Sequence, residues 1–465
     1  LLLCAIVIIE GKYDNKVDFT GDEWDYQSIA VNNYFGYAFL TTGRIKEIEA
    51  YKFKNLDDGK IKFWERFSGR KAFNRSPLYP FFVSFIYRLF GINPAIVKYI
   101  QLLLIVTSGM LLVPIGRLAW GDKGYYIGYL SFILFVFLNY RFPEHLMPEN
   151  WQFLFLSLIT ICMFNHYKGS RTYSILLGIL LGISCLNKGT TFFLFPLIIL
   201  SDLYYFRFKN KVHWQNICLF AIGFIVITGL WSLEVSKQRN QFTFISSQTS
   251  DVILDGNNEY CKDGLWHPEW KGNPDSFYNT DKMNNKPVFL RVINFYMANP
   301  GSLSNFPGKI KKAFTPVYSF ITLITFYLIL LSLRLYHESG TTYKGLTRLF
   351  VKIIMVLLFC FSICFGLFSW TLPDIVFFLL LLLIFFFSII YHKGVLKKVN
   401  LPFEFFVVFL NFLIFTLTFY VCNETYPSRY IKTMDGIFIL VSVYLFFEII
   451  SNSSKFILDS MKIRN

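Results

Sequence analysis

The chain reads as an all-α polytopic membrane protein, and three observations carry that reading. Of its 465 residues 54% are hydrophobic and 20% aromatic, with 55 Phe, while only 16% are charged. The apolar residues fall in long unbroken runs, which is the pattern of helices that meet lipid. Every second loop between runs is rich in Lys and Arg, as the positive-inside rule requires. The net charge of +15 therefore belongs to loops at an anionic membrane surface, and no basic patch suited to nucleic acid interrupts it. The eight Cys are scattered, mostly inside apolar runs, without metal-ligand spacing. Cys261 and Cys422 fall on the same predicted side and leave a disulfide open.

Taken in order, Leu1–Ile9 is expected to be the end of a first span that begins upstream. Glu10–Ser76 is polar. Pro77–Phe90 is apolar but only about 14 residues long, too short to cross, and is expected to lie at the interface or re-enter. Spans are then expected at Ile96–Ile115, Gly124–Tyr140, Trp151–Asn165, Ser174–Leu186, Phe192–Tyr205 and Ile217–Leu233. After a polar insert follow Phe320–Leu333, Ile353–Trp370, Ile375–Ile390, Phe405–Tyr420 and Ile431–Ile450. The alternation of basic loops works with about twelve spans, provided Pro77–Phe90 does not cross. This divides the chain into a transmembrane module, 1–233, carrying a first outer loop, 10–90; an outer insert, 234–312; and C-terminal spans, 313–465. The insert contains a turn signal at Asp255-Gly256-Asn257-Asn258 and a short helical pattern at Pro287–Asn299, and is expected to cap the outer face. The runs themselves carry almost no charge, which argues against an ion-coupled transporter.

Chemistry-bearing residues collect on the predicted outer face. Gly21-Asp22-Glu23-Trp24-Asp25-Tyr26 places three carboxylates in four residues. Thr20 and Glu23 fit a capping box, so a helix is expected to start here, with Asp22 and Tyr26 one turn apart on one face. Asp22 is the candidate general base towards a lipid-borne substrate; the alternative is a solvated, acid-rich helix start. Arg75, in Asn74-Arg75-Ser76-Pro77-Leu78-Tyr79-Pro80, suits a phosphate head group at the interface, and otherwise a snorkelling Arg. Lys188 stands in a hairpin on the side where few cations are expected, so it needs a partner, either a phosphate or Glu149. Arg429-Tyr430, opening the last span, has the same character. Glu144 and Glu149 flank Pro148 and suit a sugar or a cation, or simply a helix dipole; Asp374 reads as structural.

These residues resemble a family. In order along the chain they look like the membrane-embedded GT-C glycosyltransferases, in the branch of the protein O-mannosyltransferases and lipid A aminoarabinose transferases. The resemblance rests on Asp22-Glu23-Trp24-Asp25-Tyr26 with Ala30, on Arg75-Ser76-Pro77-Leu78-Tyr79, and on Glu149 at a span start. It continues through Leu186-Asn187-Lys188-Gly189, Gly256-Asn257-Asn258 and Arg429-Tyr430. The chain departs from the pattern at Asp25 and at Asn187. The resemblance implies a GT-C-like fold and an inverting transfer of a sugar from a polyprenyl-phosphate donor to a lipid, glycan or protein hydroxyl. Asp22 and Glu23 would then be catalytic. Arg75, Lys188 and Arg429 would hold the donor phosphate, and Tyr26, Tyr79, Glu149, Asn257, Asn258 and Tyr430 would bind substrate. No cofactor is required for this chemistry, although Glu23 or Glu149 could hold a divalent metal. Asn74-Arg75-Ser76 and Asn423-Glu424-Thr425 are glycosylation sequons on the predicted outer face, which favours a bacterial cytoplasmic membrane with a periplasmic site. A polysaccharide polymerase or ligase acting on a lipid-linked substrate is the alternative, and a lipid or sugar transporter a more distant one.

Overall fold

The computed structural model describes residues 13, 22–36, 73, 75–206, 211–240, 242–246, 254, 257–260, 276–280, 286, 288–305, 435–437, 439–440 and 443–444. These form helices and turns. The expected spans between residues 320 and 420, Cys261, Cys422, Asp374, Arg429 and Tyr430 lie outside the described residues.

Helix α1 (Asp22–Tyr34) opens with Asp22, Glu23 and Asp25 in its first turn, and buries every residue from Glu23 to Asn32. It is therefore not a solvated helix start. Helix α2 (Leu78–Phe90) has 13 residues, about 20 Å at 1.5 Å per residue, short of a hydrocarbon core of about 30 Å. It stops at Gly91, whose φ of +74° suits glycine. Trp24, Tyr26, Ala30 and Val31 of α1 pack with Tyr79, Val83, Ile86 and Tyr87 of α2 into one apolar cluster, closed by Val97 and Leu146. The far side of α2 leaves Phe85, Leu89 and Phe90 exposed, as a face turned towards lipid would.

Helix α3 (Pro94–Asn139, 46 residues) is two helices folded back on each other. Asn93 caps it by accepting from the backbone N of Ala95 (3.1 Å) and Ile96 (3.4 Å), with Pro94 in the first turn. At Trp120 and Gly121 (φ +65°, ψ −143°) the chain leaves helical geometry, between the expected loop cations Arg117 and Lys123. The two arms touch through glycines: a Cβ on Gly116 would stand 2.3 Å from Gly124 O, and one on Gly128 would stand 2.6 Å from Leu112 O. Gly109 meets Phe132, so the contacts fan out from the turn and the arms are antiparallel.

Helices α4 (Glu149–Tyr167), α5 (Arg171–Asn187), α6 (Leu194–Phe206) and α7 (Lys211–Arg239) complete the bundle. Gly178 packs on Phe220, and Gly182 on Ile227, so α5 and α7 run parallel in close contact. A short 3-10 turn, Gly189–Phe193, joins α5 to α6. α3 and the segment Trp214–Arg239 of α7 are long and apolar enough to cross a membrane. From the expected last span, Gly436 lies against Leu112 and Phe135, and Tyr444 stacks on Trp120 at 4.3 Å. This segment therefore runs along α3 towards its turn. In the insert, α8 (Val288–Ala298) supplies Val292 and Phe295 to a small cluster with Leu254 and Tyr278.

The expectation of runs almost without charge needs correction. Lys98, in the first arm of α3, is buried, and so are His166 at the end of α4 and Asp202 in α6. His166 Nε2 lies 2.8 Å from Asp202 Oδ2, and His166 Nδ1 lies 2.8 Å from Ser174 Oγ. Three helix ends are tied there, at the end of the bundle away from α1. A transfer of charge from water to apolar surroundings is tolerated when it is paired in this way.

Candidate active site

The site is built where α1, the start of α2, the 140–148 loop and the α5–α6 turn meet. The carboxylates of the first turn of α1 differ sharply in access, with side-chain exposures of 27% for Asp22, 12% for Asp25 and 3% for Glu23. Arg75, itself buried, bridges the two aspartates. Its Nη2 lies 2.6 Å from Asp22 Oδ1 and 2.5 Å from Asp25 Oδ2, and its Nε donates to Asp25 Oδ2 at 2.9 Å. The guanidinium also faces the Tyr26 ring at 5.4 Å. Burial draws the Arg75 proton affinity down, but Asp22 and Asp25 outweigh it and hold the group above its ordinary value. Burial pushes Asp25 above the usual carboxylate range against the pull of Arg75. Arg75 is thus a clamp on α1 here, not a snorkelling cation.

Glu23 turns to the 140–148 loop. Its Oε1 lies 2.7 Å from His145 Nδ1 and accepts from Leu146 N at 3.2 Å. The loop is pinned in turn by Gln101, whose Nε2 donates to Pro143 O (3.1 Å) and His145 O (2.9 Å). Gln101 Oε1 accepts from the Tyr79 hydroxyl at 2.5 Å, and the Tyr79 ring meets Tyr26 edge-on at 5.1 Å. Tyr87 of α2 donates to Gln27 of α1. One network therefore joins α1, α2, α3 and the loop.

Lys188 finds the structural partner that its sequence position demanded. Its Nζ donates to Glu149 Oε1 at 2.8 Å, with both side chains buried. Asn187 holds the same corner, donating to Pro148 O (2.8 Å) and Gln152 Oε1 (2.9 Å). The residues of the insert do something else. Tyr278 donates to Asn257 O, Tyr296 donates to Asn257 Oδ1 at 2.8 Å, and Asn258 Nδ2 donates to Leu254 O at 3.0 Å. These bonds fold the insert. Among the described residues no group of three or more His, Cys, Asp or Glu is arranged to hold a metal.

His145, Gln101 and Lys98 were not singled out by the sequence reading. The signal for His145 was its place in the Pro143-Glu144-His145 outer turn, in a chain with six His. Gln101 and Lys98 sit inside an apolar run and gave no such signal.

Residues 74–231 match the family model of the dolichyl-phosphate-mannose-protein mannosyltransferases. Over that stretch the match bears out the resemblance to GT-C glycosyltransferases. No curated protein matches the chain. Among solved structures it is similar to ArnT from Cupriavidus metallidurans bound to undecaprenyl phosphate. The identity is 12% and the TM-score 0.36, over 94% of this chain and 77% of that one, a likeness too loose to place any residue.

Proposed function

We propose that this chain is an inverting glycosyltransferase that moves a sugar from a polyprenyl-phosphate donor to an acceptor hydroxyl at the outer face of a bacterial cytoplasmic membrane. The observation that carries the reading is the access of the α1 carboxylates: with side-chain exposures of 27% against 12% and 3%, only Asp22 is left within reach of an acceptor. The family match over 74–231 supports the reaction class.

In this reading the acceptor oxygen forms a bond to the anomeric carbon as the bond from that carbon to the phosphate oxygen breaks. The electron pair leaves with the polyprenyl phosphate, and the acceptor proton passes to Asp22. A single displacement inverts the anomeric configuration. Arg75 fixes the Asp22 carboxylate by one oxygen, and Glu23, bound to His145 and Leu146 of the 140–148 loop, orients the turn of α1 that carries Asp22. Lys188, held by Glu149, and Arg429 stabilise the leaving phosphate; Tyr26 and Tyr79 wall the site. The chain would cross the membrane about twelve times.

The test uses the full chain in lipid nanodiscs with a synthetic polyprenyl-phosphate hexose. Release of free polyprenyl phosphate, with a product of inverted configuration, is expected from the wild type and not from Asp22→Asn. A chain that moves the lipid or elongates a glycan without releasing polyprenyl phosphate would be a transporter or a polymerase.

A further inference from the structure

At the end of the bundle away from α1, the bonds among the described residues leave three buried polar atoms unmet. Asp202 Oδ2 lies 2.8 Å from His166 Nε2, but Asp202 Oδ1 is buried without a hydrogen-bond partner. On α7, Asn216 is 1% exposed, and neither its Oδ1 nor its Nδ2 is bonded. Native interiors rarely leave such groups dry.

Two separate alignments put these atoms on one level. α6 runs antiparallel to α7, because α5 is parallel to α7 and turns back through Gly189–Phe193 into α6. At the start of α6, Phe195 stacks on Phe224 of α7 at 4.2 Å. Asp202 stands seven residues on from Phe195 and Asn216 eight back from Phe224, each about two turns along its own helix and on the same face. The second alignment comes through α4 and α5. Phe220, one turn from Asn216, lies 6.1 Å from the His166 ring. Arg171, beside Ser170 and Ser174 at the start of α5, donates to Gln215 at 2.7 Å. Asn216 therefore lies on the buried face of α7, level with the His166–Asp202 pair. Its amide does not bond Asp202 directly, which is the spacing at which a small molecule bridges two polar groups.

The unmet atoms name that molecule. Asp202 Oδ1 and Asn216 Oδ1 alone would suit a cation, but the Asn216 Nδ2 donor would not. A ligand that both gives and takes hydrogen bonds serves all three, and buried water does so with about three bonds as a rule. We propose that a buried water site lies between α6 and α7, where water donates to Asp202 Oδ1 and is held by the Asn216 amide. The polar chain from Ser170 O through Ser174 Oγ and His166 to Asp202 thereby reaches a fourth helix, and α4, α5, α6 and α7 share one node. The site takes no part in the glycosyl-transfer reading and is tested without turnover.

The test uses the full chain in lipid nanodiscs. Asn216→Leu replaces the amide with an apolar side chain of similar size. A dry amide is a cost that Leu removes, so without the water the thermal midpoint rises. With the water, the substitution removes its holder and leaves Asp202 Oδ1 short of a donor. The midpoint is then expected to fall by about 1–3 °C, the scale of one hydrogen bond in a large domain. A raised or unchanged midpoint overturns the proposal. Because poor packing alone can lower a midpoint, X-ray hydroxyl-radical footprinting supplies a second reading. Radicals form at a bound water itself, so Phe220 is expected to oxidise faster than Phe224, which is comparably buried but two turns from Asn216. In Asn216→Leu the two rates should become equal. Equal rates in the wild type overturn the proposal whatever the midpoint does. A wild-type midpoint that shifts when choline replaces sodium at constant ionic strength, with the shift abolished in Asn216→Leu, would put a cation in the site and also overturn it.

Discussion

Arg75 lies 2.6 Å from Asp22 through Nη2, so the candidate base and a candidate phosphate ligand are partners before any substrate arrives. Removing Arg75 would leave Asp22 and Asp25 facing one another on a single helix turn. Breaking a buried pair in this way costs about 3–5 kcal/mol. Arg75→Ala is expected to lower the thermal midpoint and activity together. Arg75→Lys should recover part of the stability, because an ammonium lacks the fork that spans two carboxylates. A fully stable Arg75→Ala protein, deficient only in donor affinity, would mean that the guanidinium serves the phosphate and not α1.

Asp22→Asn keeps the shape and a hydrogen bond towards the site but cannot take up the acceptor proton. Turnover should fall about 100-fold or more, the usual contribution of a general base, with donor binding retained. Asp25→Asn is the control: Asp25 is held inside the clamp, so its loss should weaken stability more than turnover. Initial rates and melting curves of both variants decide between them, and reversed effects would move the base to Asp25.

The Lys188–Glu149 pair, 2.8 Å apart, lends itself to a double-mutant cycle. Lys188→Met alone removes the cation 2.8 Å from a buried carboxylate and should destabilise by about 3–5 kcal/mol. Adding Glu149→Leu should restore much of that stability. If Lys188 also serves the donor, the double variant will be stable yet poor at using polyprenyl-phosphate hexose. A stable double variant with wild-type donor KM would confine the pair to a structural role.

The α3 hairpin depends on glycine. A Cβ at Gly116 would stand 2.3 Å from a backbone oxygen, with no flexible side chain able to yield. Gly116→Ala is therefore expected to separate the arms at a cost of about 1–3 kcal/mol or more, read as a lower unfolding midpoint in detergent. Gly121→Ala should also destabilise, through its φ of +65° rather than through crowding. An unchanged midpoint for Gly116→Ala would show that the arms do not touch there.

Much of the fold was legible because lipid-facing helices announce themselves. The runs at 96–115, 124–140, 151–165 and 174–186 each became a helix or an arm, and the polar turn between Arg117 and Lys123 marked the hairpin. The short α2 was legible from length alone. The pairing of site residues was not. Arg75 meets Asp25 across 50 positions and Glu23 meets His145 across 122, and nothing local encodes such partners. Lys188 was half legible: a cation stranded between two apolar runs demands an anion, but the sequence left a phosphate and Glu149 both open, and its 2.8 Å bond to Glu149 came only with the structure. Asn257 and Asn258 read by type as a turn and were substrate candidates only through the family resemblance; their bonds to Tyr278, Tyr296 and Leu254 were not legible. Lys98 and Asp202 escaped notice because a single charge within an apolar run barely alters its appearance.

The His166–Asp202 contact bears on how the protein is made. α6 carries Asp202, which reaches the translocation machinery after α4 and α5 have already passed through it. A carboxylate at the centre of a span costs about 2.5–3.5 kcal/mol on insertion; Asp202 lies nearer the end of its 13-residue helix, so its cost is smaller but still opposes insertion. Its partner has by then been synthesised, so α6 can be drawn in against a waiting imidazole. A reporter that scores membrane integration should therefore find α6 inserting better behind α4 and α5 than alone, and His166→Leu should erase that advantage. Equal integration in all three contexts would show that assembly of this corner comes only after the helices have entered the bilayer.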